Sequence, residues 1–347
     1  MSAEQLSSRE RTILEAVIQT YVETAEPAGS RTLSRRFGIG VSPATIRNTM
    51  SDLEEKGFLA HPHTSAGRVP TNKAYRAFVD SLLAKGPAAA IEGGRLADEI
   101  GRADSPIETI LRRAAQSLGV LAQELGVALG PSLGKIVLRS LDLVRVNSER
   151  LLMVLQLDGG VARTVFVEVR GEIADAVLAE VTAMLNERLG GLTLEQISAS
   201  VGSRLRDSAA GPDARELLNI FVQDAGQLFD PTLAIADGAV VLGQASVLAG
   251  QPEFSAADRM RRLLDLTQSP RTLADAIRAR PHASGISITI GQEHTDPRLE
   301  DFTVVTAEYR AGTLVGVIGV IGPTRMPYDK VIALVSHTSQ LLTDLLV

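Results

Sequence analysis

The chain has 347 residues, of which 45% are apolar and 22% charged, as in folded globular proteins. It contains no cysteine, which excludes disulfides, thiolate metal sites and cysteine nucleophiles. No run of about eighteen apolar residues and no signal-peptide pattern is present. We therefore expect a cytoplasmic protein of about two or three domains.

The net charge is −6, but positive charge is concentrated near the N-terminus. The segment from Arg31 to Arg76 holds eight basic and three acidic residues, a local charge of +5. Phosphate binding requires such a basic face, which the charge of the whole chain can hide. Taken alone, the charge is equally consistent with a solvated surface that binds nothing.

Two short helices are predicted first. Ser7 and Glu10 form a capping box that starts one helix, which should end near Thr24. Ser30 is expected to cap a second helix, which Gly38 terminates.

A third helix carries clear start and stop signals. Ser42 suits the N-cap, Pro43 the first helical position and Gly57 the C-terminal cap. Its apolar side chains share one face, which should pack on the first two helices: Ile46, Met50 and Leu53. This pattern predicts a helix-turn-helix whose third helix enters the major groove of DNA.

The opposite face of the third helix is polar. Arginine can donate two hydrogen bonds to guanine, and asparagine can pair with adenine in the same bidentate way, so Arg47 and Asn48 are the first candidates for reading bases. The residues expected to contact bases are Ser42, Thr45, Arg47 and Asn48. An ordinary solvated helix face is the alternative.

A β-hairpin, or wing, is predicted directly after this helix. A short strand at 58–60 is followed by a polar turn from His61 to Gly67 and a return at 68–70. His61 and His63 lack a third ligand nearby, so we expect no metal site. The residues expected to hold the DNA backbone are Arg31, Arg35, Arg36, His63, Thr64, Ser65, Gly67, Arg68, Lys73 and Arg76.

An ordered series of motifs closely resembles the HrcA family of bacterial heat-inducible transcription repressors. The motifs are Ser42–Asn48 (SPATIRN), Leu53–Gly57 (LEEKG), Pro62–Thr71 (PHTSAGRVPT), Tyr75-Arg76 and Val79-Asp80. Each motif is short, but their order over about forty residues is specific.

The resemblance implies an α+β multidomain fold, with an N-terminal winged helix-turn-helix and a GAF-like α/β domain that carries an inserted dimerisation domain. We expect the winged helix at 1–85, a linker at 86–104, the discontinuous GAF-like domain at 105–172 and 251–347, and the inserted dimerisation domain at 173–250.

The resemblance also implies a negative regulator of class I heat-shock operons, which encode the chaperonin and DnaK systems. Such a repressor binds an inverted-repeat operator, CIRCE, as a homodimer and is inactivated on heat shock. The chaperonin GroEL maintains its activity. The implied partners are double-stranded operator DNA, a second copy of the chain and GroEL, with no membrane and no cofactor.

The rest of the chain alternates between strand and helix patterns. Strands are predicted at 135–143, 151–157, 164–169, 239–248, 286–290, 302–309 and 314–321. Helices are predicted at 105–125, 173–229 with an interruption near 211, 254–266, 272–280 and 329–346. Strands at both ends with helices between them favour a sheet domain interrupted by an insertion.

Nothing in the sequence supports catalysis, since there is no nucleophile elbow, phosphate loop, HExxH motif or paired carboxylates. His282, His294 and His337 are scattered and expected to be structural or surface residues. Two alternatives to chaperone-controlled repression stay open. One is a regulator whose activity is set by a small molecule in the GAF-like domain. The other is a structural or chaperone-binding protein whose winged helix packs on protein.

Overall fold

The structure, a computed structural model, describes most of the chain in two compact units. Unit 1 comprises Met1–Leu129, Val240–Tyr309 and Val317–Leu346, and unit 2 comprises Gly130–Ala239 and Arg310–Gly316. The described residues are 6–62, 67–85, 93–101, 107–131, 134, 136–158, 162–169, 171, 173–206, 211–229, 240–269, 273–274, 277, 285–312 and 314–346. Within these ranges, no helix is long and apolar enough to cross a membrane.

The regular elements are numbered in chain order. The helices are α1 Ser8–Thr24, α2 Ser30–Phe37, α3 Pro43–Glu55, α4 Asn72–Lys85, α5 Gly93–Ile100, α6 Ile107–Ala122, α7 Asp175–Leu189, α8 Leu194–Arg206, α9 Pro212–Gln223, α10 Ala225–Leu228, α11 Ser246–Ala249, α12 Ala257–Thr267 and α13 Tyr328–Leu346. The strands are β1 Leu59–Ala60, β2 Val69–Pro70, β3 Leu125–Leu129, β4 Leu138–Asn147, β5 Arg150–Leu157, β6 Ala162–Glu168, β7 Val240–Leu242, β8 Ile286–Ile290, β9 Phe302–Ala311 and β10 Leu314–Pro323.

The N-terminal part of unit 1 is a winged helix, as predicted. Helices α1, α2 and α3 are followed by an antiparallel pair, β1 and β2, in which Leu59 lies opposite Pro70. Ser7 and Glu10 form the predicted capping box. The N-cap of α2 is Gly29 and not Ser30, because Ser30 is already the first helical residue and is buried.

One apolar core joins the three helices. Ile13 and Val17 of α1, Leu33 of α2 and Ile46 and Leu53 of α3 are all fully buried. Ile13 and Val17 are four positions apart and Ile46 and Leu53 seven apart, so each pair lies on one face of its helix. Burial of these side chains holds α3 against α1 and α2. The opposite face of α3 is therefore left to the solvent.

The remainder of unit 1 is built on a five-stranded sheet in the order β7-β3-β10-β9-β8. The glycine-rich segment before residue 322 is strand β10, as predicted. A Cβ on Gly319 would overlap the carbonyl oxygen of Val305 on β9, so this glycine permits the close approach of the two strands. Helix α13 packs on α6, and both are largely apolar where they meet the rest of the unit.

Unit 2 contains its own antiparallel sheet, in the order β4-β5-β6. Its inner face includes Leu141, Met153 and Leu155, which share a core with Leu185 of α7 and Phe221 of α9. The strands alternate between buried and exposed positions, as expected for an antiparallel sheet with one face on a core and the other in solvent.

The structure divides the chain differently from the predicted boundaries. Strands β4, β5 and β6 fall within the range expected for the GAF-like domain, and they lie in unit 2, which begins at Gly130. Strand β7 was expected in the insertion but pairs with β3 in the sheet of unit 1. Alternation identifies a strand without identifying its partner strand, so it does not assign a strand to a domain. Helix α5 lies within the predicted linker.

Strand β3 was missed. The sequence predicted one helix from residue 105 through Leu125, but α6 ends at Ala122, and Gln123 adopts a left-handed conformation that stops the helix. All five residues of β3 are buried. Its apolar run continues the apolar pattern of α6 without a glycine or proline between them, so periodicity alone does not separate the two elements.

Candidate nucleic-acid interface

Helix α3 begins with a well-formed cap. Ser42 is the N-cap, and its Oγ accepts a hydrogen bond of 3.1 Å from the backbone N–H of Thr45. Pro43 occupies the first helical turn, where its missing N–H costs nothing. The predicted cap is confirmed, and it fixes the direction in which the first turns of α3 face the solvent.

The outer face of α3 presents the residues predicted to read bases. Arg47 and Asn48 are both exposed, and neither side chain has an ion-pair or hydrogen-bond partner among the described residues. Ser42 is exposed and Thr45 half-buried, and their hydroxyl oxygens lie 3.0 Å apart. These four side chains therefore share one accessible surface on α3, which we call the α3 face.

Helix α2 adds positive charge beside this helix. Arg31 and Arg35 are exposed, and within the described part of the chain neither forms an ion pair. Arg36 differs from them, because its guanidinium pairs with Glu23 of α1 and lies 5.4 Å from the centroid of the Phe37 ring. Only the first two arginines of this set are fully available to an external anion.

The wing is only partly described. The predicted contacts His63, Thr64 and Ser65 lie outside the described residues. Gly67 is described, and a Cβ there would overlap the carbonyl oxygen of Ala28, so glycine is needed for close packing of the wing on the α1–α2 connection. Packing within the protein therefore explains the glycine at position 67, independently of any contact with DNA.

Arg68 is turned toward the protein. Its Nη2 lies 2.8 Å from Oε2 of Glu54 on α3, and only 14% of its side chain is exposed. Its backbone N–H and C=O bond to Ala28 at 2.9 and 2.8 Å. The structure therefore does not place this arginine among the accessible basic side chains, where the sequence had placed it.

Lys73, another residue predicted to contact phosphates, is also engaged within the protein. Nζ of Lys73 donates to the carbonyl oxygen of Lys56 at 2.7 Å and lies 4.4 Å from the centroid of the Phe58 ring. A positive charge at this C-terminal end of α3 is favourable, because it faces the negative end of the helix dipole. Lys73 thus has a role within the fold that its charge alone did not reveal.

Arg76 joins the winged helix to the sheet of unit 1. Its Nε donates to Glu293 at 2.7 Å, and its Nη2 donates to the carbonyl oxygen of Ile288 on β8 at 2.8 Å. The ion pair with Glu293 raises the pKa of the guanidinium against the opposing effect of its burial. Next to it on α4, the ring of Tyr75 packs 5.7 Å from that of Tyr328.

Two carboxylates, Glu54 and Glu10, make ion pairs that the sequence did not reveal. Glu54 bonds both Arg68 and His61, the latter at 3.0 Å through Nδ1. Glu10 accepts a 2.6 Å hydrogen bond from Nζ of Lys56 at the end of α3, and this bond, together with those from Ser7, lowers the pKa of its carboxyl to about 2. The capping box indicated the position of Glu10 but not its pairing with Lys56.

Two sequence families match this chain and account for most of it. Residues 5–84 match "Winged helix-turn-helix transcription repressor, HrcA DNA-binding", and residues 108–332 match "HrcA protein C terminal domain". The chain belongs to the HrcA family of heat-inducible transcription repressors. Its DNA-binding domain is the winged helix described above.

Full-length HrcA proteins are similar to the chain from end to end. Heat-inducible transcription repressor HrcA of Chlorobium phaeobacteroides strain BS1 is 37% identical, with 99% of each chain covered. The protein of the same name from Geobacter sulfurreducens is 36% identical, with 98% of each chain covered. The match over nearly the whole length includes the sheet region and unit 2 as well as the DNA-binding domain.

The fold as a whole also resembles a solved structure. A crystal structure described only as that of a hypothetical protein matches with a TM-score of 0.58 at 21% identity, covering 98% of this chain and 99% of that one. At this level of identity the likeness supports the overall α+β fold of the HrcA-family chain and carries no information about its ligands.

Proposed function

We propose that this chain represses class I heat-shock operons, those of the chaperonin and DnaK, by binding the CIRCE inverted repeat as a homodimer. Two α3 faces would read the two half-sites, with Arg47 and Asn48 as the principal base contacts. Arg31 and Arg35 would supply attraction to the phosphates. The observation that carries the proposal is the capped, solvent-facing start of α3, with both base-reading candidates unpaired among the described residues.

The first experiment is a binding titration of the full chain with a duplex that contains the CIRCE inverted repeat. A scrambled duplex of equal length and composition and a duplex with one half-site are the controls. We expect preference for the complete repeat, by a factor of about a thousand or more over the scrambled duplex at physiological salt. Equal affinity for all three would contradict operator recognition.

The same titration distinguishes the two alternatives. A regulator controlled by a small molecule would prefer the repeat only after addition of its ligand, so the titration is repeated with a metabolite panel. A protein whose winged helix packs on protein would bind neither duplex at low salt.

An apolar row on the sheet of unit 2 supports dimerisation. Val144, Leu152 and Phe166 lie opposite one another across β4, β5 and β6 on the face turned away from the core. Val144 is 50% exposed and Phe166 60% exposed. Adjacent exposed apolar side chains of this size are typical of a surface that a protein partner covers. We propose that this row belongs to the dimer interface.

Sedimentation of variants tests the interface. Phe166→Glu should yield monomers, because a carboxylate in the dimer would be buried without a partner. Val120→Glu is the matched control, since Val120 is an isolated apolar side chain on α6 of unit 1 and 59% exposed. A Phe166→Glu protein that sediments as a dimer would place the interface elsewhere.

Heat shock would inactivate the repressor, and GroEL would maintain its active form. This part of the proposal comes from the family alone. Repressor that has been heated and cooled should recover operator binding with GroEL, its co-chaperonin and ATP, and less without them. Equal recovery in the two samples would remove the chaperonin from the mechanism.

A further inference from the structure

We infer that Glu54 is a positioning residue for DNA binding, which holds both arms of the wing against α3, and that Arg68 serves this contact instead of binding a phosphate. The inference rests on the proposed recognition of operator DNA by the winged helix. It means that the two arms of the wing are held on α3 by a residue that does not itself contact DNA.

One carboxylate reaches both arms of the hairpin. Oε1 of Glu54 lies 3.0 Å from Nδ1 of His61, which directly follows β1. Oε2 lies 2.8 Å from Nη2 of Arg68, which directly precedes β2. Because Glu54 belongs to the last turns of α3, the same side chain ties the start and the end of the wing to the recognition helix.

The arginine is poorly placed to leave this site. Its side chain is mostly buried, and its backbone is hydrogen-bonded in both directions to Ala28. Packing of Gly67 on Ala28 leaves no room for the backbone to shift inward. Withdrawing the guanidinium toward a phosphate would leave the Glu54 carboxylate without its cationic partner, which is costly at a partly buried position.

A fixed wing has a direct consequence for binding. The groove and the adjacent backbone of DNA must be contacted at a set distance from each other, so a wing held in place before binding avoids the entropy cost of ordering it on the DNA. Glu54 would contribute this preorganisation without touching DNA, although it adds a negative charge to a DNA-binding domain.

The experiment compares Glu54→Gln, Arg68→Met and the double variant, as full chains, on operator and scrambled duplexes over a range of salt concentrations. Glu55→Gln is the matched control, because it removes the same charge from the neighbouring exposed position. Each single variant should weaken operator binding about fivefold to thirtyfold. The double variant should be no weaker than the weaker single one, since both remove the same contact.

The salt dependence separates positioning from phosphate binding. If Arg68 only positions the wing, Arg68→Met leaves the slope of log K against log salt unchanged. If it binds a phosphate, the slope falls by about one per half-site, and Glu54→Gln binds DNA as tightly as the wild type or more tightly. A lower slope for Arg68→Met, or unweakened operator binding by Glu54→Gln, would overturn the inference.

Two further measurements keep the outcome unambiguous. Thermal unfolding checks that each variant is folded at the assay temperature. If Glu54→Gln is not, Glu54→Asp replaces it. That variant keeps the charge but shortens the reach, so it should weaken operator binding if Glu54 positions the wing and leave it unchanged otherwise. Failure of the proposed function would be visible separately, as a wild-type protein without preference for the operator.

Discussion

The basic residues of the winged helix form two groups with opposite surroundings. Arg31, Arg35 and Arg47 are exposed on α2 and α3 without an ion-pair partner in the described part of the chain. Arg68 and Arg76 are turned inward and held by carboxylates, Glu54 and Glu293. A count of charges over residues 31–76 treats all five alike. The structure indicates that the first group is available to DNA and that the second organises the fold.

The inward group extends into the sheet region of unit 1. Arg325 donates to Glu253 at 2.9 Å and also bonds the carbonyl oxygen of Val22 near the end of α1. Both charged side chains are nearly buried, with 13% and 15% exposed. Together with Arg76, this residue connects the winged helix to the sheet region through ion pairs and hydrogen bonds. We therefore expect loss of an inward cation to lower the free energy of unfolding.

The largest effect is expected for Arg325→Met. It leaves Glu253 nearly buried without its cation, so the free energy of unfolding should fall by about 3 kcal/mol or more. Urea unfolding followed by tyrosine fluorescence measures it, because all four tyrosines of the chain lie in unit 1. Arg298→Met is the control, since Arg298 is exposed and, among the described residues, pairs only with Asp296 two residues away. Equal loss for both variants would show that burial does not decide the effect.

A cation of the outward group should behave in the opposite way. Arg47→Ala should weaken operator binding by about 1–3 kcal/mol and relax the preference at one base pair per half-site. The urea midpoint should stay unchanged, because Arg47 has no partner to lose among the described residues. Competition with operators that carry single base changes is the measurement. Equal loss on operator and scrambled DNA would remove Arg47 from the base-reading group.

The outward group was predictable because its position follows from local signals. Ser42, Pro43 and Gly57 mark the ends of α3 through hydrogen bonds and conformations that operate within a few residues. Once the apolar residues of α3 are turned to the core, the opposite face is determined. Arg47 and Asn48 could therefore be placed from the sequence alone.

The inward group could not be recognised from the sequence. Glu54 and Arg68 are fourteen positions apart, and Arg76 and Glu293 are separated by more than two hundred. Whether such residues meet depends on the packing of whole elements. The same limit applies to β4, β5 and β6, which were predicted as strands without an indication of the unit to which they belong.

A third effect tests an ion pair of the winged helix through pH. The hydrogen bonds from Lys56 and Ser7 lower the pKa of Glu10 to about 2, below its ordinary value of 4.5, so they stabilise the folded chain above pH 4.5. This contribution is lost as the pH falls from about 4.5 toward 2. Because Lys56 is partly exposed and screened by solvent, Glu10→Gln should cost only about 1–2 kcal/mol at pH 7. The difference from the wild type, in urea unfolding, should vanish toward pH 2. A difference independent of pH would exclude the ion pair as its source.

The smallest effect on affinity, and the most closely matched comparison of an unpaired with a paired cation, comes from adjacent arginines on α2. Arg35→Ala should weaken operator and scrambled DNA alike and lower the salt slope by about one per half-site, as expected for loss of a phosphate contact. Arg36→Ala removes the same charge one position later, but that guanidinium is already paired with Glu23. Arg36→Ala should change the salt slope less, and it leaves Glu23 without a cation. Identical slopes for the two variants would mean that an existing ion pair does not withhold an arginine from DNA, and the distinction between unpaired and paired cations would then fail at its most closely matched positions.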